Sequence, residues 1–301
     1  MMKMLKALKT AFPRTIYLWK GALIIWFSSL LLVSILAMPI KSALKSGFGQ
    51  SMITEKLAGG LNFEVFADLG VAFKSIMSFF SVGLFMIILV GFILNVFFAG
   101  GIFDRLKGSS AKFSASEFFS SSAKNFWSFL VISIIISLII IFLGMLIVIL
   151  PLSIVGQSDN SPEGALFKTG IVVMSVFFII ITILLLVADY ARAWQVTIDK
   201  NKCFKAIGFG FSQTFKTFFS SIPLMIILLL VQFAFGWLVL EILPGMRPAT
   251  GGGVFYLFIL SQILFFLKIV LKIWRYGSVS CLMQINSQKD GPTEISSGSD
   301  L

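Results

Sequence analysis

Histidine is absent from this 301-residue sequence, and cysteine and charged residues are scarce. Without an imidazole, the chain cannot form histidine-ligated zinc sites, an HExxH metalloprotease centre or a Ser-His-Asp triad. Only 12% of the residues are charged, whereas a soluble domain has about a quarter. These absences argue against a soluble protein and against most hydrolases. We expect no enzymatic activity, no cofactor and no metal site.

Long apolar runs dominate the chain instead, with 58% hydrophobic residues and 34 phenylalanines. Crossing the hydrocarbon layer takes about 20 helical residues, because every backbone amide must be satisfied inside its own helix. Six runs qualify, so the sequence predicts an all-α integral membrane protein. We expect a single six-span domain over residues 1–280, followed by a disordered polar tail over 281–301. The predicted spans are residues 21–40, 76–99, 127–150, 170–188, 222–243 and 254–274.

Positive charge predicts the orientation. Of the 24 Lys and Arg residues, 18 flank the spans on the side that holds both termini, and six lie on the other side. Basic residues collect on the cytoplasmic side, so both termini are predicted to be cytoplasmic. A chain rich in Ile, Phe and Lys suits a bacterial inner membrane. The net charge of +11 favours anionic lipid headgroups and requires no nucleic acid. Cys203 and Cys281 fall on the reducing side, where we expect no disulfide.

Three basic, Phe-rich stretches with helical apolar spacing precede the odd-numbered spans. They are predicted to lie in the membrane plane as amphipathic helices, and the alternative is that they extend spans 1, 3 and 5 into the cytoplasm. The second stretch begins with Ser114-Ala115-Ser116-Glu117, which is a capping-box pattern. The apolar positions are Leu5, Leu8 and Phe12, then Phe118, Phe119 and Phe126, then Phe204, Ile207, Phe211, Phe215 and Phe218.

The even-numbered spans end alike, in aromatic and charged residues at 103–105, 189–192 and 272–276. Together with the stretches, these endings suggest three repeats of an amphipathic helix followed by a two-span hairpin. The preferred interpretation of the endings is interfacial anchoring at wet helix ends with local ion pairs. The alternative is a cytoplasmic cluster that binds a lipid headgroup or a partner protein. Its candidate residues are Asp104, Arg105, Asp189, Arg192 and Arg275.

Few polar residues interrupt the spans. Asn95, Gln232 and Gln262 are predicted to form hydrogen bonds between helices, and the alternative is that they line a substrate pathway. Ser133 and Ser137 share one helix face, which permits close helix approach. Because no ionisable residue lies near the middle of a span, an ion-coupled transporter is disfavoured.

The outer connection over residues 41–75 contains the remaining helix signals. Residues 51–58 are predicted to form a short helix, and Asn62 is placed to cap a second helix over 63–69. Both are expected on the outer membrane surface, where a role in partner recognition is an alternative to simple membrane contact.

A resemblance rests on Ala188-Asp189-Tyr190-Ala191-Arg192-Ala193-Trp194, which closes span 4, and on the stretch from Phe204 to Phe219, which leads into span 5. This arrangement resembles a broad group of uncharacterised bacterial six-span membrane proteins. That group is similar to the membrane domain of some glycerophosphodiester phosphodiesterases. The resemblance implies a helical bundle. Because no catalytic domain is attached here, we expect no phosphodiesterase activity.

The leading functional hypothesis is a non-enzymatic membrane protein that is a structural or accessory component and organises lipid or an unknown membrane protein partner. The alternative is a small permease, channel or lipid-translocating protein, with a pathway lined by Asn95, Gln232 and Gln262.

Overall fold

A computed structural model describes residues 2–48, 70–107, 113–157, 164–198, 202–246 and 250–287. Within these ranges all regular structure is helical, and six helices are long and apolar enough to cross a membrane. The prediction of an all-α multi-pass membrane protein is confirmed. In chain order the helices are α1 (Met2–Tyr17), α2 (Trp19–Phe48), α3 (Gly70–Lys107), α4 (Ala115–Gly144), α5 (Leu150–Gly156), α6 (Ala165–Ile198), α7 (Cys203–Lys216), α8 (Phe218–Gly245) and α9 (Gly251–Ser287), with a π-helical turn (Met145–Ile149) between α4 and α5.

The helices extend beyond the predicted spans, most clearly at the end of α9. The predicted tail begins too early, because residues 281–287 are helical, and Cys281, Leu282 and Asn286 are buried. This segment is held by α1, which lies against the end of α9. Residues 288–301 and the helices predicted at 51–58 and 63–69, with the cap at Asn62, lie outside the described residues.

The chain divides into two compact units, and the single six-span domain stays a prediction. The smaller unit, Ile24–Asn95, contains most of α2 and the first part of α3. Its large apolar side chains, such as Phe27 and Ile88, are mostly exposed, as expected of helix faces that contact lipid. The larger unit comprises Met1–Leu23 and Val96–Leu301.

Burial in the larger unit is concentrated at one end of its long helices. Among the described residues, the last buried residue of α4 is Ile136 and that of α8 is Leu228. In α6 the first buried residue is Thr182. Most buried residues of α9 lie toward its C-terminus. The packed end is defined here as residues 118–136 of α4, 182–196 of α6, 221–228 of α8 and 269–286 of α9. The open end comprises residues 137–144, 165–181, 229–242 and 251–268 of the same helices.

The three Phe-rich stretches differ in structure. The first and third form separate helices, since α1 ends at Tyr17 before α2 begins at Trp19, and α7 ends at Lys216 before α8 begins at Phe218. The second stretch belongs to α4, which continues without a break into span 3, so the extension interpretation holds there. A position of α1 and α7 in the membrane plane stays a prediction.

Each stretch packs on the end of an even-numbered span through small residues. A Cβ atom added to Gly210 of α7 would lie 2.5 Å from the carbonyl oxygen of Val187 in α6. A Cβ atom added to Gly101 of α3 would lie 2.5 Å from a serine hydroxyl of α4, and α1 lies over Gly277 of α9. Such close approach is typical of small-residue helix crossings. The crossings at Gly210 and Gly101 are this close, whereas α1 lies at ordinary contact distance from Gly277, and the three repeats stay a prediction.

Candidate functional site

The packed end brings three residues of the predicted cluster into contact. Asp189, on α6, has 0% of its side chain exposed. Arg192 donates Nη1 to Asp189 Oδ1 at 3.2 Å, and Arg275 of α9 places Nε 3.2 Å from Asp189 Oδ2. The expectation of a wet helix end is therefore wrong for Asp189, because α4, α7, α8 and α9 all pack against α6.

A fourth contact ties this ion-paired group to span 3. Arg192 donates Nη2 to the hydroxyl of Ser133 on α4 at 2.9 Å. Each oxygen of the Asp189 carboxylate faces one guanidinium group, and one of these groups also binds α4. The charged side chains therefore link α4, α6 and α9 at a single point.

A further cation and an aromatic ring complete the site. The guanidinium carbon of Arg275 lies 5.0 Å from the ring centroid of Tyr276, and Lys272 Nζ lies 5.9 Å from the same centroid. Both distances suit cation–π attraction. Lys272 also interacts electrostatically with Asp189 and both arginines. The name cationic cluster is used below for Ser133, Asp189, Arg192, Lys272, Arg275 and Tyr276.

Positive charge and hydrogen-bond donors are in excess within the cationic cluster. Among the described residues, Arg192 and Arg275 share one carboxylate, so two guanidinium groups face a single negative charge. Arg192 Nε is buried without a hydrogen-bond acceptor among the described residues. Arg275 Nε is close enough to Asp189 for an ion pair but is not aligned for a hydrogen bond. A guanidinium fork matches carboxylate or phosphate oxygens, so this composition is suited to binding an anion.

A pair of hydroxyl contacts fixes the rotation of α6 next to Asp189. The Tyr190 hydroxyl lies 2.6 Å from Ser221 Oγ of α8, which lies 2.7 Å from Thr217 Oγ1. Tyr190 and Ser221 are both fully buried. Consecutive side chains point in different directions around a helix. Holding Tyr190 toward α8 therefore directs Asp189 toward α9.

Asp104 and Arg105 form a different set of contacts. Asp104 accepts a hydrogen bond from the Ser121 hydroxyl at 2.6 Å, and Arg105 forms an ion pair with Glu117. Ser114 Oγ accepts the Glu117 amide at 3.5 Å, so half of the capping box forms, while Arg105 binds the Glu117 carboxylate. In the described part of the chain, these residues join α3 to α4 and take no part in the ion pairs around Asp189.

The three polar residues of the spans have separate surroundings. Gln232 Nε2 of α8 lies 3.5 Å from the carbonyl oxygen of Leu271 in α9, which is a long interhelical hydrogen bond. Asn95 has an exposed side chain in the smaller unit, and Gln262 is half-buried on α9. The contact of Gln232 agrees with the interhelical interpretation. A polar pathway along all three stays a prediction.

Three members of the cationic cluster were missing from the predicted cluster. Lys272 and Tyr276 flank Arg275 at spacings that put all three near one helix face, and this was the available signal. Ser133 was interpreted only as a small residue that permits helix approach. Its contact with Arg192 spans 59 positions of sequence, and no local pattern encodes it.

No family model matches the chain, and neither the curated proteins nor the solved structures contain a match to it. The similarity to bacterial six-span proteins and to glycerophosphodiester phosphodiesterase membrane domains therefore stays a prediction. Among the residues that the structure describes, no three His, Cys, Asp or Glu side chains are grouped to hold a metal ion.

Proposed function

We propose that this protein is a non-enzymatic component of a bacterial inner membrane that organises anionic lipid, with both termini in the cytoplasm. The observation that carries the proposal is the pair of guanidinium groups, those of Arg192 and Arg275, that is held against the single buried carboxylate of Asp189. In the proposed orientation the cluster faces the cytoplasmic leaflet. It would hold the phosphate of a lipid headgroup.

Electrostatics supports an anion at this position. Burying an uncompensated charge costs several kcal/mol, and the single carboxylate of Asp189 does not offset the two guanidinium groups that pair with it. A lipid phosphate supplies negative charge and accepts paired N–H donors from arginine. The side chains of Arg192 and Arg275 are 14% and 10% exposed, which leaves an edge of each within reach of a headgroup.

Interfacial anchoring explains the positions of the Arg192 and Arg275 side chains less well than an anion site does. An anchoring side chain extends along the helix surface and places its charged end in the headgroup layer. Arg192 and Arg275 instead turn toward Asp189 between helices. This geometry fixes two guanidinium groups beside one another. A defined anion site needs this arrangement, whereas anchoring does not.

The test compares lipids in nanodiscs that hold the purified protein. Phosphatidylglycerol should bind more tightly than phosphatidylcholine and should raise the melting temperature. Arg192→Lys should keep the fold but weaken phosphatidylglycerol binding about tenfold, because lysine lacks the planar fork. Lys168→Gln is the matched control, since Lys168 is exposed at the open end of the same helix. Native mass spectrometry measures the bound lipid.

Three outcomes would overturn the proposal. The first is equal binding of the two lipids. The second is full retention of the phosphatidylglycerol preference by folded Arg192→Lys, which is the result expected of anchoring. The third is an equal loss in Lys168→Gln, which would assign the preference to diffuse surface charge.

A further inference from the structure

We infer that α1 and α7 are lipid-docking helices whose exposed apolar stripes enter one leaflet, and that the lysines of α1 bind anionic headgroups there. This surface lies outside the cationic cluster, so the inference does not rest on the proposed function. It follows from the faces of α1, from its connection to the lipid-facing surface of α9 and from the matching faces of α7.

Helix α1 is buried on one face and apolar on the next. Ala7 and Ala11 lie one turn apart and are fully buried, and α1 packs against α9. Leu5, Phe12 and Ile16 are each more than half exposed. The 3.6-residue turn places these three side chains in one narrow stripe beside the buried face. An exposed apolar patch of this kind marks a contact with a membrane or a protein.

The third face of α1 is basic. Lys6 and Lys9 are exposed and lie past the apolar stripe, on the far side from the buried face. A lysine can rest its apolar stem on the hydrocarbon boundary while its ammonium group reaches the headgroups. An apolar stripe beside lysines is typical of a helix at the membrane interface, and the charge favours anionic lipid.

The apolar stripe of α1 joins the lipid-facing surface of α9 through Trp274. The Trp274 ring lies edge-on to Phe12 with centroids 6.0 Å apart, and Nε1 donates to the carbonyl oxygen of Leu8 at 3.3 Å. Tryptophan is enriched at the boundary between hydrocarbon and headgroups. Leu267 and Ile263 precede Trp274 by about two and three turns, so they share its face of α9, and both are exposed. The stripe therefore continues a lipid-facing surface, which favours a leaflet over a protein as its occupant.

Helix α7 has the same faces in the same register. Each helix buries two small residues and a threonine at four-residue spacing, and each threonine hydroxyl donates to the carbonyl oxygen one turn earlier. Phe204 and Phe215 of α7 are 74% and 60% exposed. They occupy the positions that Leu5 and Ile16 occupy in α1. Because α1 packs on α9 and α7 packs on α6 at the packed end, both apolar stripes belong to one leaflet. The matching buried residues are Ala7, Ala11 and Thr15 in α1 and Ala206, Gly210 and Thr214 in α7.

The experiment places a photo-crosslinking amino acid, p-benzoylphenylalanine, at single exposed positions of the whole protein in nanodiscs. It replaces Leu5 or Phe204 in the apolar stripes, and Thr10 or Ser212, which are exposed on other faces of the same helices, as matched controls. Mass spectrometry identifies the adducts. Leu5 and Phe204 should give adducts with lipid acyl chains, and the two controls should give few. Size-exclusion chromatography and thermal melting establish that each protein is folded.

A second arm tests the lysines of α1 with an equal mixture of phosphatidylglycerol and phosphatidylcholine. Lipid adducts at Leu5 should be enriched about fivefold or more in phosphatidylglycerol, because each lysine near an anionic surface contributes about that factor. Lys6→Gln combined with Lys9→Gln should bring the adduct ratio close to that of the mixture. Lys6→Arg combined with Lys9→Arg is the charge-matched control and should keep the enrichment.

Each contrary outcome identifies a different error. Equal lipid adducts at the stripe and control positions, or none at Leu5 and Phe204, would overturn the docking of α1 and α7. Adducts with another protein chain in place of lipid would show that a partner protein covers the stripes. Unchanged enrichment in the glutamine variant would overturn the role of Lys6 and Lys9. Failure of the cationic cluster to bind lipid would leave the adducts at Leu5 and Phe204 in place, so the two proposals fail separately.

Discussion

At the packed end, α6 is buried on every side from Leu186 to Ala191, whereas between residues 165 and 181 no residue of the same helix is fully buried. The two halves are equally helical, and both lie in one apolar span. Lipid chains are as apolar as leucine, so hydrophobicity alone does not draw membrane helices together. Another feature must therefore distinguish the packed end.

Small residues and polar contacts provide that distinction. Gly210 and Gly101, at the helix crossings, have no room for a side chain, whereas Gly170 and Gly236 at the open end have no heavy atom within 4 Å of an added Cβ. The interhelical ion pair between Asp189 and Arg275 also lies at the packed end. The open end therefore presents its surface to lipid, while the packed end holds the helices in place and carries the candidate site.

Removing the charge of Asp189 should produce the largest difference in the free energy of unfolding between matched variants of the two ends. Asp189→Asn leaves Arg192 and Arg275 buried without their counter-ion, and we expect a loss of about 3–5 kcal/mol in the free energy of unfolding. Glu241→Gln, an exposed carboxylate at the open end, should change it by less than about 0.5 kcal/mol. Denaturation in mixed micelles measures both. Similar losses would remove the energetic distinction between the ends.

Trimming leucine at two positions of α8 probes packing without any charge. Leu224 is fully buried and Leu230 is 52% exposed. Leu224→Ala should cost about 3 kcal/mol, because it leaves a cavity between helices. Leu230→Ala should cost much less, since lipid chains fill the space that it leaves. The same unfolding assay applies, and equal costs would indicate that the open end is as tightly packed as the other.

The contrast between the ends explains how much of the fold the sequence predicts. The six spans are predictable because long charge-free runs have few alternatives to crossing a bilayer. Helix ends are less predictable when they pack on other helices. Residues 281–287 look like the start of a polar tail, yet Cys281 and Leu282 are buried beside α1. The local composition of residues 281–287 does not indicate their contact with α1, which is distant in sequence.

The site was predictable to the extent that its residues share local signals. Asp189, Arg192 and Arg275 were recognised because charged residues at span ends recur. Arg105 looks the same in sequence, but the nearby Glu117 pairs with it. The choice between these partners depends on helix packing, which a single sequence does not specify. The contribution of Ser133 depends on the approach of α4 to α6.

A methyl group added at a helix crossing should have an intermediate effect. Gly210→Ala forces α7 away from α6 and should cost about 1–3 kcal/mol, because the new Cβ would lie 2.5 Å from the carbonyl oxygen of Val187. Gly208→Ala, on the same helix with open space around it, should be neutral or stabilising by about 0.5–1 kcal/mol. Thermal melting of both variants measures the difference. If Gly210→Ala melts with or above Gly208→Ala, the crossing is not tight.

The smallest expected effect concerns one hydroxyl group at each end. Tyr190→Phe removes the contact with Ser221 but leaves Ser221 and Thr217 bonded to each other, so no buried hydroxyl is orphaned. We expect a loss of about 1 kcal/mol, which is the range of interhelical hydrogen bonds in membranes. Tyr256→Phe, at a 62% exposed ring of the open end, should change stability by less than about 0.5 kcal/mol.

Because Tyr190 orients α6, its variant should also weaken phosphatidylglycerol binding, which Tyr256→Phe should leave unchanged. Loss of stability with undiminished lipid binding would show that the hydroxyl contact holds α6 to α8 without positioning Asp189.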